Sequence, residues 1–314
     1  MKNKYKNGFT LITHKSCTDG TFSALVAKKF CRENGLIEPT IIFEQYGKDI
    51  KQYSNEIINN RDVIMCDFSY DRETIIDLHD NVTKSFVVLD HHASAEKELA
   101  GLDYCTFDMK KSGAMLMWDY FYPGQPAPRI VEFVQDRDIW NWDLEDSHEF
   151  SAGLKLHKDF ALLQDYDIEY VFSDKLVDTC IKEGTSVLTY QRTVIDKVVR
   201  GTLNKKGVTA GVVMYNIGGY EVPVINSANL ISEIGNELSK GHPFSAQYFF
   251  TNHGEIVFSL RSQPDGADVS EVARSYGGGG HRNSGAMSFD IRDIKLDVFF
   301  ATKNLDKSLL NKGV

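Results

Sequence analysis

Three short apolar runs near the start of the chain each end abruptly in ionisable side chains. Phe9-Thr10-Leu11-Ile12 leads into T-H-K-S-C-T-D-G, which carries His14, Cys17 and Asp19. Asp62-Val63-Ile64-Met65-Cys66 ends in Asp67, and Ser85-Phe86-Val87-Val88-Leu89 ends in Asp90-His91-His92. Runs of this length read as strands, and Thr40 to Phe43 reads as another. Between them, Thr21 to Asn34 places Phe22, Leu25, Val26 and Phe30 at helical spacing, and Asp71 to Asn81 turns Ile75, Ile76 and Leu78 to one side. Alternating strand and helix predicts an α/β domain around a mainly parallel sheet. In open parallel sheets ligands bind beyond the carboxyl ends of the strands, where residues following different strands converge. The strand ends are therefore where the chemistry of this chain is expected.

The pattern changes past the middle. Val171 to Thr202 is helical with mixed charge and suits a connecting helix, placed at 186–204. Gly207 to Tyr215, Tyr220 to Ile225, Ser245 to Thr251 and Glu255 to Leu260 then read as strands, with a helix at Asn229 to Lys240. The expectation is an N-terminal domain over 1–185, the connecting helix, and a smaller α+β domain over 205–314. A chain of 314 residues is long enough for two such cores.

Charge and cysteine usage narrow the partners. The formal net charge is −9 and no dense Lys/Arg block occurs, which disfavours long duplex DNA, since duplex affinity comes largely from neutralising phosphates. A small phosphorylated ligand, held locally, remains compatible. Cys17, Cys31, Cys66, Cys105 and Cys180 are odd in number and scattered, which argues against a disulfide framework and for a reducing compartment. Only four apolar residues follow the basic M-K-N-K-Y-K-N-G, and no run approaches the roughly 20 needed to span a bilayer. A cytoplasmic protein with no membrane partner is expected.

Each candidate residue has two readings. Asp67 is either a helix N-cap or a carboxylate bridging two metal ions. The adjacent histidines of D-H-H sit either in a surface loop or at a site, one as a ligand and one facing substrate. In F-V-Q-D-R-D-I-W-N-W, Asp136 and Asp138 either flank Arg137 in a salt-bridged turn or supply acids, with Trp140 and Trp142 as core or rim aromatics. In Y-G-G-G-G-H-R, the run Gly278, Gly279, Gly280 is either a flexible tip or bare backbone that approaches an anion, with His281 and Arg282 supplying charge. Arg261, ending a strand, can clamp a phosphate or stack on a base.

Taken together and in order, H-x-x-C-x-D-G, C-D-F-S-Y, L-D-H-H, V-Q-D-R-D-I-W and S-L-R-S…D-V-S-E-V-A…Y-G-G-G-G-H-R resemble the DHH phosphoesterase superfamily with its DHH-associated C-terminal domain. The resemblance covers nearly the whole chain. It implies two divalent metals, commonly manganese, at the strand ends, activating water for attack on phosphorus in a cleft between the domains. By motif, His14 would bind the first metal and Asp19 the second, with Asp67 bridging and His91 and Asp136 completing the second site. His92 would contact the scissile phosphate or protonate the leaving oxygen, and Asp90 would orient a neighbouring histidine. Arg261, Gly278 to Gly280, His281 and Arg282 resemble the substrate-holding surface.

One position departs from the pattern. Many members have an aspartate ligand where this chain has Cys17, and a thiolate at the first site would favour softer ions such as zinc over manganese. The expected function is metal-dependent hydrolysis of short oligonucleotides, linear or cyclic dinucleotides, or phosphorylated nucleotides. The alternative is a nucleotide-binding or regulatory protein of the same fold whose catalysis is weakened. The sequence leaves open whether the chain forms a homodimer.

Overall fold

A computed structural model describes residues 1–45, 50, 55–157, 167–200, 202–203, 209–210 and 212–310. It divides into two compact units, Met1–Leu188 and Thr189–Val314. In the first unit, strands β1 (Thr10–His14), β2 (Thr40–Glu44), β3 (Asp62–Cys66), β4 (Ser85–Asp90) and β5 (Cys105–Phe107) form one sheet in the order β2-β1-β3-β4-β5. All of its neighbours pair in parallel. The apolar runs read from the sequence are these strands, and both faces of the sheet are covered. Phe9, Leu11, Ile64 and Leu89 join one buried cluster, while Ile12, Val63, Met65 and Val88 join another. Every residue of β3 is buried, which explains why that strand reads as a continuous apolar run without alternation.

Helices α1 (Thr18–Glu33), α2 (Asn55–Ile58), α3 (Arg72–Asp77), α4 (Ala93–Glu98), α5 (Gly113–Phe121), α6 (Arg129–Asp138), α7 (Ser147–Leu154) and α8 (Ile168–Val171) complete the unit, together with the first part of α9 (Asp174–Arg200). Helix α1 begins three residues before the expected Thr21, with Cys17 at its cap position. Gly20 permits that early start, because a Cβ there would lie 2.4 Å from the His14 carbonyl oxygen. The expected helix over Asp71 to Asn81 is α3 followed by a π-turn at Leu78–Val82.

Helix α9 starts well before residue 186, and the boundary between the units falls within it. Residues 201 and 204–208, in the expected connection and the start of the expected strand Gly207 to Tyr215, lie outside the described residues, as does residue 211. The short pair β6 (Thr202–Leu203) and β7 (Thr209–Ala210) precedes a seven-stranded mixed sheet. Its strands are β8 (Val213–Ile217), β9 (Tyr220–Asn226), β10 (Ser245–Phe250), β11 (Glu255–Arg261), β12 (Gly279–His281), β13 (Ser284–Asp290) and β14 (Asn304–Leu305), in the order β12-β13-β11-β10-β9-β8-β14. Helices α10 (Ile231–Leu238), α11 (Val269–Ser275) and α12 (Leu296–Thr302) pack with it. Phe244, Phe258, Val269 and Phe299 anchor its main core, and Ile234 and Leu238 of α10 meet Ile195, Val198 and Val199 of α9. This is the smaller α+β unit expected from the composition shift.

Candidate metal centre

The register of the first sheet assembles the site. Thr13 pairs with Cys66 and Cys66 with Leu89, so His14, Asp67 and Asp90 follow in line at three adjacent strand ends. The Asp67 amide donates to the Leu89 carbonyl at 3.1 Å, holding the second of these beside the third. Asp67 itself has φ 57°, a left-handed conformation uncommon in a non-glycine residue and of the kind that clusters at functional sites.

Asp19, fully buried in the first turn of α1, joins the cluster from another element. Its carboxylate accepts from the backbone amides of Gly113 and Ala114, the latter at 2.9 Å, so it also caps the start of α5. A Cβ on Gly113 would fall 2.6 Å from the Asp67 Cβ and 2.8 Å from an Asp19 oxygen. Only glycine lets α5 approach both carboxylates this closely. Nothing in the sequence reading singled out Gly113; the available signal was a glycine directly after Ser112, opening an otherwise apolar helix.

The ligand atoms fall into three overlapping groups. His14, Cys17 and Asp67 each bring one donor within 4.8 Å of the others; so do Asp67, His91 and His92, and so do Asp19, His91 and Asp138. The His91 Nε2 lies 3.2 Å from Asp67, 3.4 Å from Asp138 and 3.7 Å from Asp19. Asp67 thus stands between His14 with Cys17 on one side and His91 on the other.

The expected acid, Asp136, is not among them. Its carboxylate accepts from the amides of Asp143 at 2.9 Å and Leu144 at 3.4 Å and from the Ser147 hydroxyl at 2.5 Å, bracing the loop after α6. Asp138, two residues on at the end of the helix, is the carboxylate that reaches His91. Residues two apart on a helix point to different sides, so one of the pair faces the site and the other the loop.

The electrostatics describe crowded carboxylates. Burial, then the neighbouring Asp19 charge, push the carboxyls of Asp67 and Asp138 above the ordinary range. Burial alone would lower His91, but its hydrogen bond to Asp67 and the charges of Asp19 and Asp138 outweigh that and hold it up to about 9. Burial and the nearby His92 lower His14, favouring the neutral imidazole that a metal requires. Burial and the Asp67 charge push the Cys17 thiol up to about 12.

Asp90 does different work. One oxygen accepts from the His91 amide at 2.7 Å and from His92 Nδ1 at 2.7 Å, which fixes the His92 ring and raises its pKa.

These residues fit a divalent cation. Asp67 Oδ2 and Asp90 Oδ2 are buried without a hydrogen-bond partner, and buried acceptors are seldom left so. Three carboxylates converging on one imidazole lack a matching positive charge, and their oxygen and nitrogen donors suit a hard or borderline ion. Cys17 adds a soft donor on one side only.

In the second unit, Arg261 and His281 both pair with Ser284, from opposite sides of β13, so the three occupy one row on one face of the sheet. Arg261 donates to its neighbour's carbonyl and to the Ser232 hydroxyl at 3.2 Å. Arg282 leaves the row; it donates to the Gly266 carbonyl at 3.1 Å and lies 3.9 Å from Asp268. The glycine run is not a loose tip. Gly279 and Gly280 belong to the edge strand β12, and a Cβ on Gly278 or Gly280 would fall 2.1 Å and 2.3 Å from carbonyls of Ala286 and Ser284.

No protein-family model matches the chain. It is 32% identical over 297 residues to an uncharacterized protein, R106, of Acanthamoeba polyphaga mimivirus, covering 89% of this chain and 67% of that one. It is 25% identical over 193 residues to the oligoribonuclease NrnB of Bacillus subtilis, covering 60% of this chain and 46% of that protein. Among solved structures, the pGpG-specific phosphodiesterase PggH of Vibrio cholerae shares the fold with a TM-score of 0.52 at 16% identity, covering 94% of this chain and 97% of that one. RecJ of Thermus thermophilus, solved with Mn2+, matches with a TM-score of 0.50 at 14% identity, covering 96% of this chain and 52% of that one. No helix among the described residues is long and apolar enough to cross a membrane. The chain and R106 thus belong to one family, and the fold shared with PggH and RecJ over nearly all of this chain, with the motifs in order on its strand ends, is that of DHH-domain proteins.

Proposed function

We propose that this protein hydrolyses phosphoester bonds in short nucleotides, using two divalent cations held at the strand ends of its first unit. The observation that carries the reading is Asp67: a buried carboxylate with one unpartnered oxygen, standing between two sets of donor atoms. His14, Cys17 and Asp67 would hold one ion, and Asp19, Asp67, His91 and Asp138 the other. Bound there, such ions lower the pKa of water and neutralise charge developing on the phosphoryl oxygens. Asp90 holds the Nδ1 proton of His92, which leaves Nε2 to meet a phosphate oxygen or pass a proton to the leaving group. Asp19 joins the start of α5 to the site through the amides of Gly113 and Ala114, so a bound metal and the helix would share one carboxylate.

Arg261, His281 and Arg282, with the backbone of Gly278 to Gly280, are the proposed substrate-holding groups. The row of Arg261 and His281 beside a glycine-rich edge strand suits phosphate oxygens. The substrate class rests on the acidic chain, which disfavours long strands, and on the relatives named for pGpG and oligoribonucleotides. The oxygen and imidazole donors favour manganese. Cys17 favours a softer ion such as zinc in its half of the site.

The test is a panel of di- to pentanucleotides, cyclic dinucleotides, 3′,5′-bisphosphorylated adenosine and polyphosphate, incubated with manganese. Cleavage of the short nucleotides, lost in Asp67→Ala, is expected. Preference for polyphosphate would overturn the substrate class. A chain that binds neither manganese nor zinc and cuts nothing would instead be the regulatory protein of the same fold.

A further inference from the structure

Helix α6 ends at Asp138, and the chain leaves it through Ile139-Trp140-Asn141-Trp142. Both tryptophans have left-handed backbone, φ 62° and 58°, which large side chains seldom adopt. Trp140 is 73% exposed, more than any other large apolar side chain among the described residues. An indole left in water forgoes the burial that normally stabilises a side chain of this size.

The segment is nonetheless held firmly. The Asp136 carbonyl accepts from the amides of Asn141 and Trp142, at 2.9 and 3.3 Å, while its carboxylate ties down Asp143, Leu144 and Ser147. Trp140 meets Trp142 edge-on at 5.1 Å and 79°, and Trp142 stacks on His148 at 4.1 Å and 13°. An exposed ring on a braced loop is a surface kept ready for contact.

Its position says for what. Consecutive Cα atoms lie about 3.8 Å apart, so the Trp140 Cα is within about 7.6 Å of that of Asp138. Asp138 in turn reaches His91 at 3.4 Å. Trp140 therefore stands on the loop that directly follows an acid of the candidate metal centre.

We infer that Trp140 is a stacking platform for a base flanking the bond that is cut; this rests on the hydrolase reading above. Asp136, expected as a ligand, serves instead as the brace of that platform. Stacking uses the face that every base possesses, so the platform separates nucleotides from base-free phosphates without selecting one base.

The experiment compares wild type, Trp140→Ala and Trp140→Phe on a dinucleotide and on the same dinucleotide lacking its bases. Loss of one stacked base corresponds to about tenfold. The expected result is a KM for the dinucleotide raised about tenfold in Trp140→Ala, with a much smaller change in kcat, and largely recovered in Trp140→Phe. The penalty on the abasic compound should be several-fold smaller. Indole fluorescence supplies an independent readout: a dinucleotide with a non-hydrolysable methylene linkage, added with manganese, should quench wild type more than Trp140→Phe. Equal penalties on both compounds, or none, would overturn the inference by reducing Trp140 to a structural role. If wild type cuts nothing, the hydrolase reading falls on its own; the quench and the analogue's affinity for Trp140→Ala then decide the stacking separately.

Discussion

At the site of the first unit, Asp19, Asp67 and Asp90 are buried, Asp19 and Asp67 repel one another, and oxygens of Asp67 and Asp90 are left unpartnered. On the sheet of the second unit, the candidate charges are arranged the other way. Arg261 has neighbouring acceptors, and Arg282 lies exposed near Asp268 and Gly266. The first arrangement is electrostatically incomplete and the second is not. A site that must capture a cation can hold carboxylates in a geometry that is unfavourable without it, whereas a surface that grips a mobile anion needs donors already in place. The contrast yields tests that differ in kind on the two units.

The largest effect belongs to Asp67→Asn. Removing the shared charge while keeping the shape should lower kcat by about 10³-fold or more, the scale of losing an electrostatic group from a reacting site. Stability should move the opposite way. The Asp67 carboxyl is pushed up by burial and by Asp19, so its ionised form opposes folding at neutral pH, and the variant should melt no lower than wild type without metal. Manganese at 100 times its Kd should stabilise wild type by about 2.7 kcal/mol and the variant by much less. A metal-free variant that melts well below wild type would remove the claim that this site is strained by charge.

Next comes the pair that distinguishes the two neighbouring acids. Asp138→Asn should weaken metal binding by about 10- to 100-fold with little change in stability. Asp136→Ala should do the reverse, costing about 2 kcal/mol by orphaning the amide of Asp143 and the hydroxyl of Ser147 while metal binding stays near normal. Metal titration by calorimetry and urea unfolding read the two effects separately. Exchanged outcomes would restore Asp136 as the ligand.

That pair also marks where the sequence stopped being informative. The strands of the first unit were legible because a parallel sheet covered on both faces produces short apolar runs, and their charged ends showed where the site lies. Which of two acids in D-R-D faces the site depends on the phase of α6 at its last turn, which spacing alone does not give. Gly113 was invisible for a related reason: its role comes from Asp19 and Asp67, brought close only by the fold. The glycine run reads as a tip or an anion cradle because its partner β13, S-G-A-M-S-F-D, has too many small residues to announce a strand.

In the second unit the glycines supply the third test. Gly278→Ala and Gly280→Ala place a Cβ against carbonyls of Ala286 and Ser284, so each should cost about 1–3 kcal/mol as β12 is forced from β13. Gly279→Ala meets nothing within 4 Å and should cost under about 1 kcal/mol. Urea unfolding of the three variants ranks them. A uniform, small effect would mean that the edge strand does not need its bare backbone.

The smallest effect sharpens the comparison within a single strand. Asp62 opens β3 and Asp67 follows its end, and both are buried, yet only Asp62 has partners for both oxygens: Lys84 at 2.8 Å and Ser85 at 2.6 Å. Burial acts to raise its carboxyl, but the hydrogen bonds to Lys84 and Ser85 outweigh it and hold the pKa below the ordinary value. A depressed carboxyl stabilises the fold fully above its unfolded pKa, near 3.9, and that stabilisation disappears as pH falls through the lower folded value. Lys84 is half exposed, so the screened pair contributes about 0.5–1 kcal/mol. Asp62→Asn should therefore be less stable than wild type by about that much at neutral pH, with the gap closing in acid once both side chains are uncharged. Asp67→Asn should show no such acid-closing deficit without metal, because there the charge removed is one that the fold does not welcome. If the two variants trace the same pH profile, the half-partnered state of Asp67 is no more costly than the fully paired state of Asp62, and the strand has no electrostatic asymmetry for a cation to resolve.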